Sequence, residues 1–256
     1  MDELQFHLQA GVANLTLNRP SQMNALSESL LTALSAQLAR CTADESIRVV
    51  VIAGSGAHFC AGHDLAQMNA HSSIDEHQRL FALCSKVMLQ IQQLSQPVIA
   101  RVDGTATAAG CQLVAQCDLA VASSRSRFAV SGVNLGLFCS TPSVALSRNL
   151  GRKHAFEMLV TGVFIDAPTA LARGLINQVV DQSELDTAVQ SLCTAIIEKP
   201  AHAITVGKQL FYRQYELGLA AAYQLAGQTM ACNMMHGDAQ EGVQAFVEKR
   251  PPSWAE

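Results

Sequence analysis

Two short segments of this 256-residue chain have residue types that could hold an anion. The first is His58-Phe59-Cys60-Ala61-Gly62-His63-Asp64-Leu65, close behind the apolar run Arg48 to Ala53. The second is Val102-Asp103-Gly104-Thr105-Ala106-Thr107-Ala108-Ala109-Gly110-Cys111-Gln112-Leu113, which reads as strand, small-residue turn and helix start. Small side chains at a helix start leave backbone N–H groups free to point at an anion, and the helix dipole adds to the attraction. Gly62 permits an unusual backbone angle and the close approach of a ligand. Two such turns facing each other would make a hole of backbone donors able to stabilise an oxyanion. Either segment taken alone reads first as tight strand–helix packing. A phosphate loop is excluded because Gly-Lys-Ser/Thr is missing, and the dinucleotide glycine fingerprint is incomplete.

The titratable and nucleophilic groups nearby are few. His63 has an ordinary pKa near 6.5, which suits acid/base work; the alternative is that it only lines the loop. Asp64 reads as a loop brace. Gln112 could orient a water or a substrate oxygen. Cys111 and Cys139 have no basic neighbour in sequence and read as buried structural thiols. Met230, Met234 and Met235 read as core or subunit-interface filler.

The elements that must position these residues follow from periodicity. Leu4 to Leu8 and Val12 to Leu17 alternate as strands around a turn at Gly11. Ser27 can cap a helix whose apolar face includes Leu30, Leu31, Leu34 and Leu38. Arg48 to Ala53 and Pro97 to Val102 are continuous apolar strands of the kind covered on both faces. A helix is predicted from about Glu76 to Leu94, another from Ala108, and a strand over Leu119 to Ala122. Strands alternating with helices make an α/β protein with parallel pairings. Beyond about residue 150 the pattern turns helical, through Ala155–Thr161, Ala167–Arg173, Leu185–Glu198 and Ala201–Ala245, with interruptions near Gly218 and Gly237.

Composition sets the broad class. The chain is 49% hydrophobic and 15% charged, enough for a large core and against disorder. A net charge of -4 with no local Lys/Arg cluster gives no footprint for nucleic acid. No apolar run is long enough to span a bilayer. The start Met1-Asp2-Glu3-Leu4 lacks the features of a secretory signal. Eight cysteines without C-x-x-C spacing read as free thiols in a reducing compartment. The expected location is cytoplasmic, with the mitochondrial matrix as the alternative if a transit segment is missing.

In chain order, Asn24-Ala25-Leu26-Ser27, Phe59-Cys60-Ala61-Gly62-His63-Asp64-Leu65 and Pro97-Val98-Ile99-Ala100 through Cys117-Asp118 resemble successive signatures of the crotonase (enoyl-CoA hydratase/isomerase) family. The similarity continues through Phe128, Gly136, Glu157–Gly162, Ala172-Arg173-Gly174-Leu175, Gln240-Glu241-Gly242 and Phe246–Arg250. Each block is modest, but their ordered combination over almost the whole chain is specific. The resemblance implies an α/β fold, a crotonase-like ββα spiral core over residues 1–195 with a C-terminal helical trimerisation region over 196–256. It also implies a homotrimer or dimer of trimers, and a coenzyme A thioester as substrate with no separate cofactor and no metal. The oxyanion donors carried over are the N–H groups of His63 and Ala109. Ala25, Ala61 and Leu65 would flank the CoA moiety, and Lys249 or Arg250 would approach its phosphates, with a neighbouring subunit as one source of that contact.

The pattern breaks at the acid/base positions. Hydratases of the family carry two glutamates, and the matching positions here are Gln112 and Gly132. A third position that supplies an acid in some isomerases and dehalogenases matches Ser140. An amide cannot exchange a proton as a carboxylate does, and glycine offers no side chain. The chain most resembles the divergent enoyl-CoA hydratase domain-containing subgroup that lacks these glutamates. The expected function is acyl-CoA binding with thioester-enolate stabilisation. The alternatives are another crotonase-type enzyme, such as a CoA-thioester hydrolase or isomerase, and a catalytically silent acyl-CoA-binding protein.

Overall fold

The computed structural model describes residues 2–70 and 73–254. The alternation of its first strands yields β1 (Leu4–Gln9) and β2 (Val12–Leu17), paired antiparallel across a turn at Ala10-Gly11 where both residues have positive φ. Ser27 Oγ accepts a hydrogen bond from Leu30 N and starts α1 (Glu28–Ala43), whose Leu30, Leu31, Leu34 and Leu38 are fully buried. β3 (Val49–Gly54) then pairs parallel to β2. Its four leading residues are buried, as an apolar run covered on both faces requires.

From here the chain repeats one manoeuvre three times. A strand in a large sheet is followed by a three-residue strand in a small sheet, and a helix then returns the chain. The pairs are β3 with β4 (His58–Cys60), β5 (Val98–Val102) with β6 (Thr105–Thr107), and β7 (Leu119–Ser123) with β8 (Arg127–Ala129). The return helices are α2 (Leu65–Ala70) with α3 (Ile74–Gln93), then α4 (Ala109–Gln116), then α5 (Ser140–Asn149). α6 (Arg152–Thr161), β9 (Ile165–Asp166), α7 (Ala167–Ala172) and β10 (Gln178–Val180) follow. The large sheet has the order β1-β2-β3-β5-β7-β10 and the small one β4-β6-β8-β9. This is the ββα spiral expected from the sequence resemblance. The small sheet itself carries no periodic signal, because three residues are too few for alternation to register.

Helices close the chain: α8 (Leu185–Ile197), α9 (Ala201–Tyr215), α10 (Leu219–Met234) and α11 (Gly237–Glu248). α8 crosses residue 195 yet lies on the large sheet through Leu185, Val189 and Cys193. α9 is held to the core by a buried charge. Lys208 Nζ donates to Ile91 O at 2.9 Å, Gln96 O at 2.9 Å and Asp118 Oδ2 at 2.6 Å. Asp118 also accepts from Val98 N and from the Tyr212 hydroxyl. Burial pulls the Lys208 ammonium below its ordinary pKa, while the Asp118 carboxylate opposes that shift and holds the charge. By contrast, Leu219, Tyr223, Met230 and Met234 on α10, Met235 at its end, and Phe246 and Val247 on α11 are exposed, so the methionines are not core filler within one chain. Among the described residues, no helix is long and apolar enough to cross a membrane.

Removing one partner of a buried ion pair leaves an uncompensated charge, at a cost of about 3–5 kcal/mol. Lys208→Met is therefore expected to lower unfolding stability by about that amount, read as a shift in the urea midpoint.

Candidate functional site

The small sheet decides the site. β4 and β6 are parallel neighbours, with His58 opposite Thr105 and Cys60 opposite Ala106. The turns that leave them, Ala61–His63 and Ala108-Ala109, therefore emerge side by side from one edge. They touch because two residues lack a Cβ. At Gly62, with φ +96°, a Cβ would sit 2.8 Å from Ala108 Cβ and 3.2 Å from Ala109 N. At Gly110 it would sit 2.1 Å from the Cys60 carbonyl oxygen. Ala108 has φ 50° and ψ -121°, a region costly for any residue with a side chain. Its N–H donates to Ala129 O at 3.0 Å, and α4 begins at the next residue.

Two donors are left over. Leu26 N donates to Gly62 O at 2.7 Å and Asp64 N to Leu26 O at 3.2 Å, a parallel bridge that passes over the His63 N–H. Ala109 is the first residue of its helix, so its N–H has no intrahelical partner. Among the described residues, neither N–H donates to any group. Both residues line one cavity of about 540 Å³ with walls that include Leu65, Met68, Phe81, Leu135, Leu137 and Phe138. No described residue lining it is a carboxylate.

A brace that the sequence reading did not find holds the first turn. Arg19 donates to Ala25 O at 2.6 Å and to Asp64 Oδ2 at 2.9 Å, and its Nε lies 3.2 Å from Glu3 Oε1. Asn24, fully buried with φ 54°, accepts from Arg19 N and donates to Ser55 O and His58 O. Its signal was an asparagine, a residue tolerant of left-handed backbone, just ahead of the helix cap. Asp64 is the brace expected of it. Burial would raise its pKa, but the Gln67 N–H and the Arg19 guanidinium outweigh that and hold it below the ordinary value.

The sequence candidates divide clearly. Ala61, His63, Leu65, Ala109, Gly132 and Ser140 line the cavity together. Ala25 is not part of the lining, and its carbonyl accepts from Arg19. The His63 ring nitrogens are sealed from solvent and have no hydrogen-bond partner among the described residues, with the ring edge-on to Phe81 at 5.4 Å. Burial pushes its pKa down to about 4, so the ring is neutral. Gln112 faces an adjoining cleft rather than this cavity. Gly132 is locked in place: a Cβ would lie 2.6 Å from Leu137 O and 2.7 Å from Cys139 Sγ. Restoring a glutamate there is consequently no simple exchange. Burial raises the Cys139 thiol and pushes Cys111 to about 12, which makes both poor nucleophiles. Lys249 and Arg250 do not line the cavity within one chain, and Arg250 is gripped by Glu241 and Glu248.

Fold and site define a two-sheet ββα spiral protein with a largely apolar cavity at the strand ends. The chain belongs to the crotonase family: the family model described as enoyl-CoA hydratase/isomerase matches residues 7–256. It is 43% identical over 245 residues to human mitochondrial enoyl-CoA hydratase domain-containing protein 3, covering 96% of this chain and 81% of that one. A short-chain-enoyl-CoA hydratase of Clostridium acetobutylicum is 31% identical over 244 residues, covering 93% of this chain and 92% of that one. The crystal structure of an enoyl-CoA hydratase from Mycobacterium smegmatis superposes with a TM-score of 0.97 at 57% identity, covering 98% of each chain.

Two outcomes follow from the cavity's electrostatics and packing. His63 has a folded pKa near 4 against about 6.5 unfolded, so the unfolded state binds the proton first as pH falls. Stability should drop between about pH 6.5 and 4, by at most about 3 kcal/mol. His63→Phe should remove that component, seen as the difference between the two pH profiles of urea unfolding. Gly132→Ala should cost about 1–3 kcal/mol, because the new methyl meets the Leu137 carbonyl and the buried Cys139 sulfur at once.

Proposed function

We propose that this protein binds acyl-CoA thioesters and holds the thioester oxygen, as enolate or oxyanion, between the N–H groups of His63 and Ala109. The observation that carries this reading is the pair of unpartnered donors, side by side at the mouth of neighbouring strands and facing one apolar cavity. Backbone donors aimed at developing charge act strongly where water is excluded, and they need no side-chain chemistry. Ala109 serves in that role as well as glycine would. Ala61 and Leu65, on the cavity wall, would flank the coenzyme, together with Ala25. Lys249 of an adjoining subunit would supply charge for its phosphates; Arg250 is the weaker candidate because its guanidinium is already paired.

The reaction is not two-glutamate hydration. Gln112 and Gly132 stand where the family resemblance places those carboxylates, and loss of each general acid or base typically costs about 10²–10⁴-fold. Enolate stabilisation with slow or no hydration is the activity the site supports. The exposed apolar residues of α10 and α11 favour assembly into a trimer or dimer of trimers. The mitochondrial designation of the human relative is compatible with a matrix location, the alternative to the cytoplasmic one read from the sequence.

Calorimetry with butyryl-CoA, acetoacetyl-CoA and free CoA tests the reading. Both thioesters should bind at least about tenfold more tightly than CoA, a difference of about 1.4 kcal/mol. Acetoacetyl-CoA should show the absorption of its enolate on binding. Crotonyl-CoA hydration should stay near background. Thioesters that bind no better than CoA would sink the proposal, and rapid hydration would overturn its account of Gln112 and Gly132.

A further inference from the structure

Of the eight cysteines, Cys139 is the one that lines the cavity faced by the two unpartnered N–H groups. It is 8% exposed, and its sulfur stands where a side chain at position 132 would begin. A Cβ on Gly132 would lie 2.7 Å from Cys139 Sγ, and Gly132 N donates to that sulfur at 3.3 Å. The glycine without a side chain thus makes room for a thiol that reaches the same place from across the turn. Cys139 is also the residue just ahead of α5, which begins at Ser140. The positive end of that helix and the Gly132 N–H both favour a thiolate, against the burial that raises the thiol.

Other polar groups in the same cavity have no protein partner. They are the His63 and Ala109 N–H groups and both His63 ring nitrogens, which make no hydrogen bond among the described residues. A thioester oxygen held by two such donors draws electron density from its carbonyl. In an α,β-unsaturated thioester that pull is conjugated to the β-carbon, so the β-carbon becomes the electrophile. The charge brought by an attacking nucleophile then ends on the oxygen, where the donors stabilise it. The protonated Cys139 thiol is a poor nucleophile by itself, and activation of the acceptor compensates for that. One donor aimed at a developing oxyanion is worth about 10²–10³-fold. A cavity of about 540 Å³ also keeps a short acyl chain and the thiol within one small space.

We propose that Cys139 adds to α,β-unsaturated acyl-CoA thioesters and forms a thioether at the β-carbon. The S–H bond breaks and the bond from sulfur to the β-carbon forms. The electron pair of the double bond moves toward the oxygen held by the two N–H groups, and the proton ends on the α-carbon. No group leaves, and no oxidant, reductant or co-reactant takes part. The inference rests on the acyl-thioester reading above and adds a reactive class of ligand. A saturated thioester binds and departs, whereas an unsaturated one caps the cavity it enters.

Incubation of the full chain with crotonyl-CoA, followed by intact mass and peptide mapping, tests it. The chain should gain the mass of one crotonyl-CoA, carried by the peptide that contains Cys139. Cys139 should be labelled at least about tenfold faster than the exposed Cys232, because donor activation outweighs burial. Butyryl-CoA, which lacks the double bond, should add no mass. At about ten times its Kd it should slow the labelling of Cys139 about tenfold by occupying the cavity. Cys139→Ser should lose the adduct and Cys232→Ser should keep it. Absence of the adduct from Cys139, faster labelling of Cys232, or labelling that butyryl-CoA leaves unchanged overturns the proposal. In each of those cases, tighter calorimetric binding of butyryl-CoA than of CoA preserves the parent reading. If no thioester binds better than CoA, both readings fall.

Discussion

The contact between the Cys60 carbonyl and the Cα of Gly110 is the constraint on which the site depends. It brings the start of α4 against the end of β4, closer than any residue with a Cβ would allow. Gly62 makes the reciprocal contact against Ala108 and Ala109. Once these two turns are pressed together, their remaining N–H groups face outward with no backbone partner. Ordinary secondary structure pairs such groups. Here the two turns leave the ends of β4 and β6 before the ladder can pair their N–H groups, and these donors stay without a protein partner.

Holding the backbone in this state requires support from elsewhere. Ala108 adopts a conformation that costs free energy, and it persists because its N–H is fixed by Ala129 while its carbonyl begins α4. On the other side, Arg19 and Asn24 tie the loop before α1 to the carbonyls and carboxylate around His63. The clamp reaches from the second strand to the fourth, so the first segment of the chain contributes to the site without lining it. Further out, the Lys208–Asp118 pair docks α9 over α4 and completes the cleft adjoining the cavity.

The lining of the cavity also carries little formal charge. No described carboxylate lines it, burial keeps His63 neutral, and the nearby thiols stay protonated. In such a low-dielectric setting the dipoles of two backbone N–H groups act on an anion more strongly than they would in water. The same arrangement withholds the proton-transfer groups that water addition demands. In the proposed reading, anion binding by backbone donors is thus separate from the carboxylate chemistry of hydration.

Much of this was legible in the residues alone. The cap at Ser27, the buried runs of β3 and β5 and the helical C-terminal half follow from periodicity. The positions of His63, Ala109, Gln112 and Gly132 follow from the family resemblance, including the missing carboxylates. What the sequence determined was local: which segments are apolar, where helices begin and which side chains are small. The tertiary structure decided the rest, because those properties depend on groups distant in sequence. Only the paired ends of β4 and β6 show why Gly62 and Gly110 must be glycine. Only the Leu137 carbonyl and Cys139 show that Gly132 has no room for a side chain. Only the helix arrangement turns Gln112 away from the cavity and into the adjoining cleft, since a residue's spacing along a helix sets its angle but not what the neighbouring helices place in front of it.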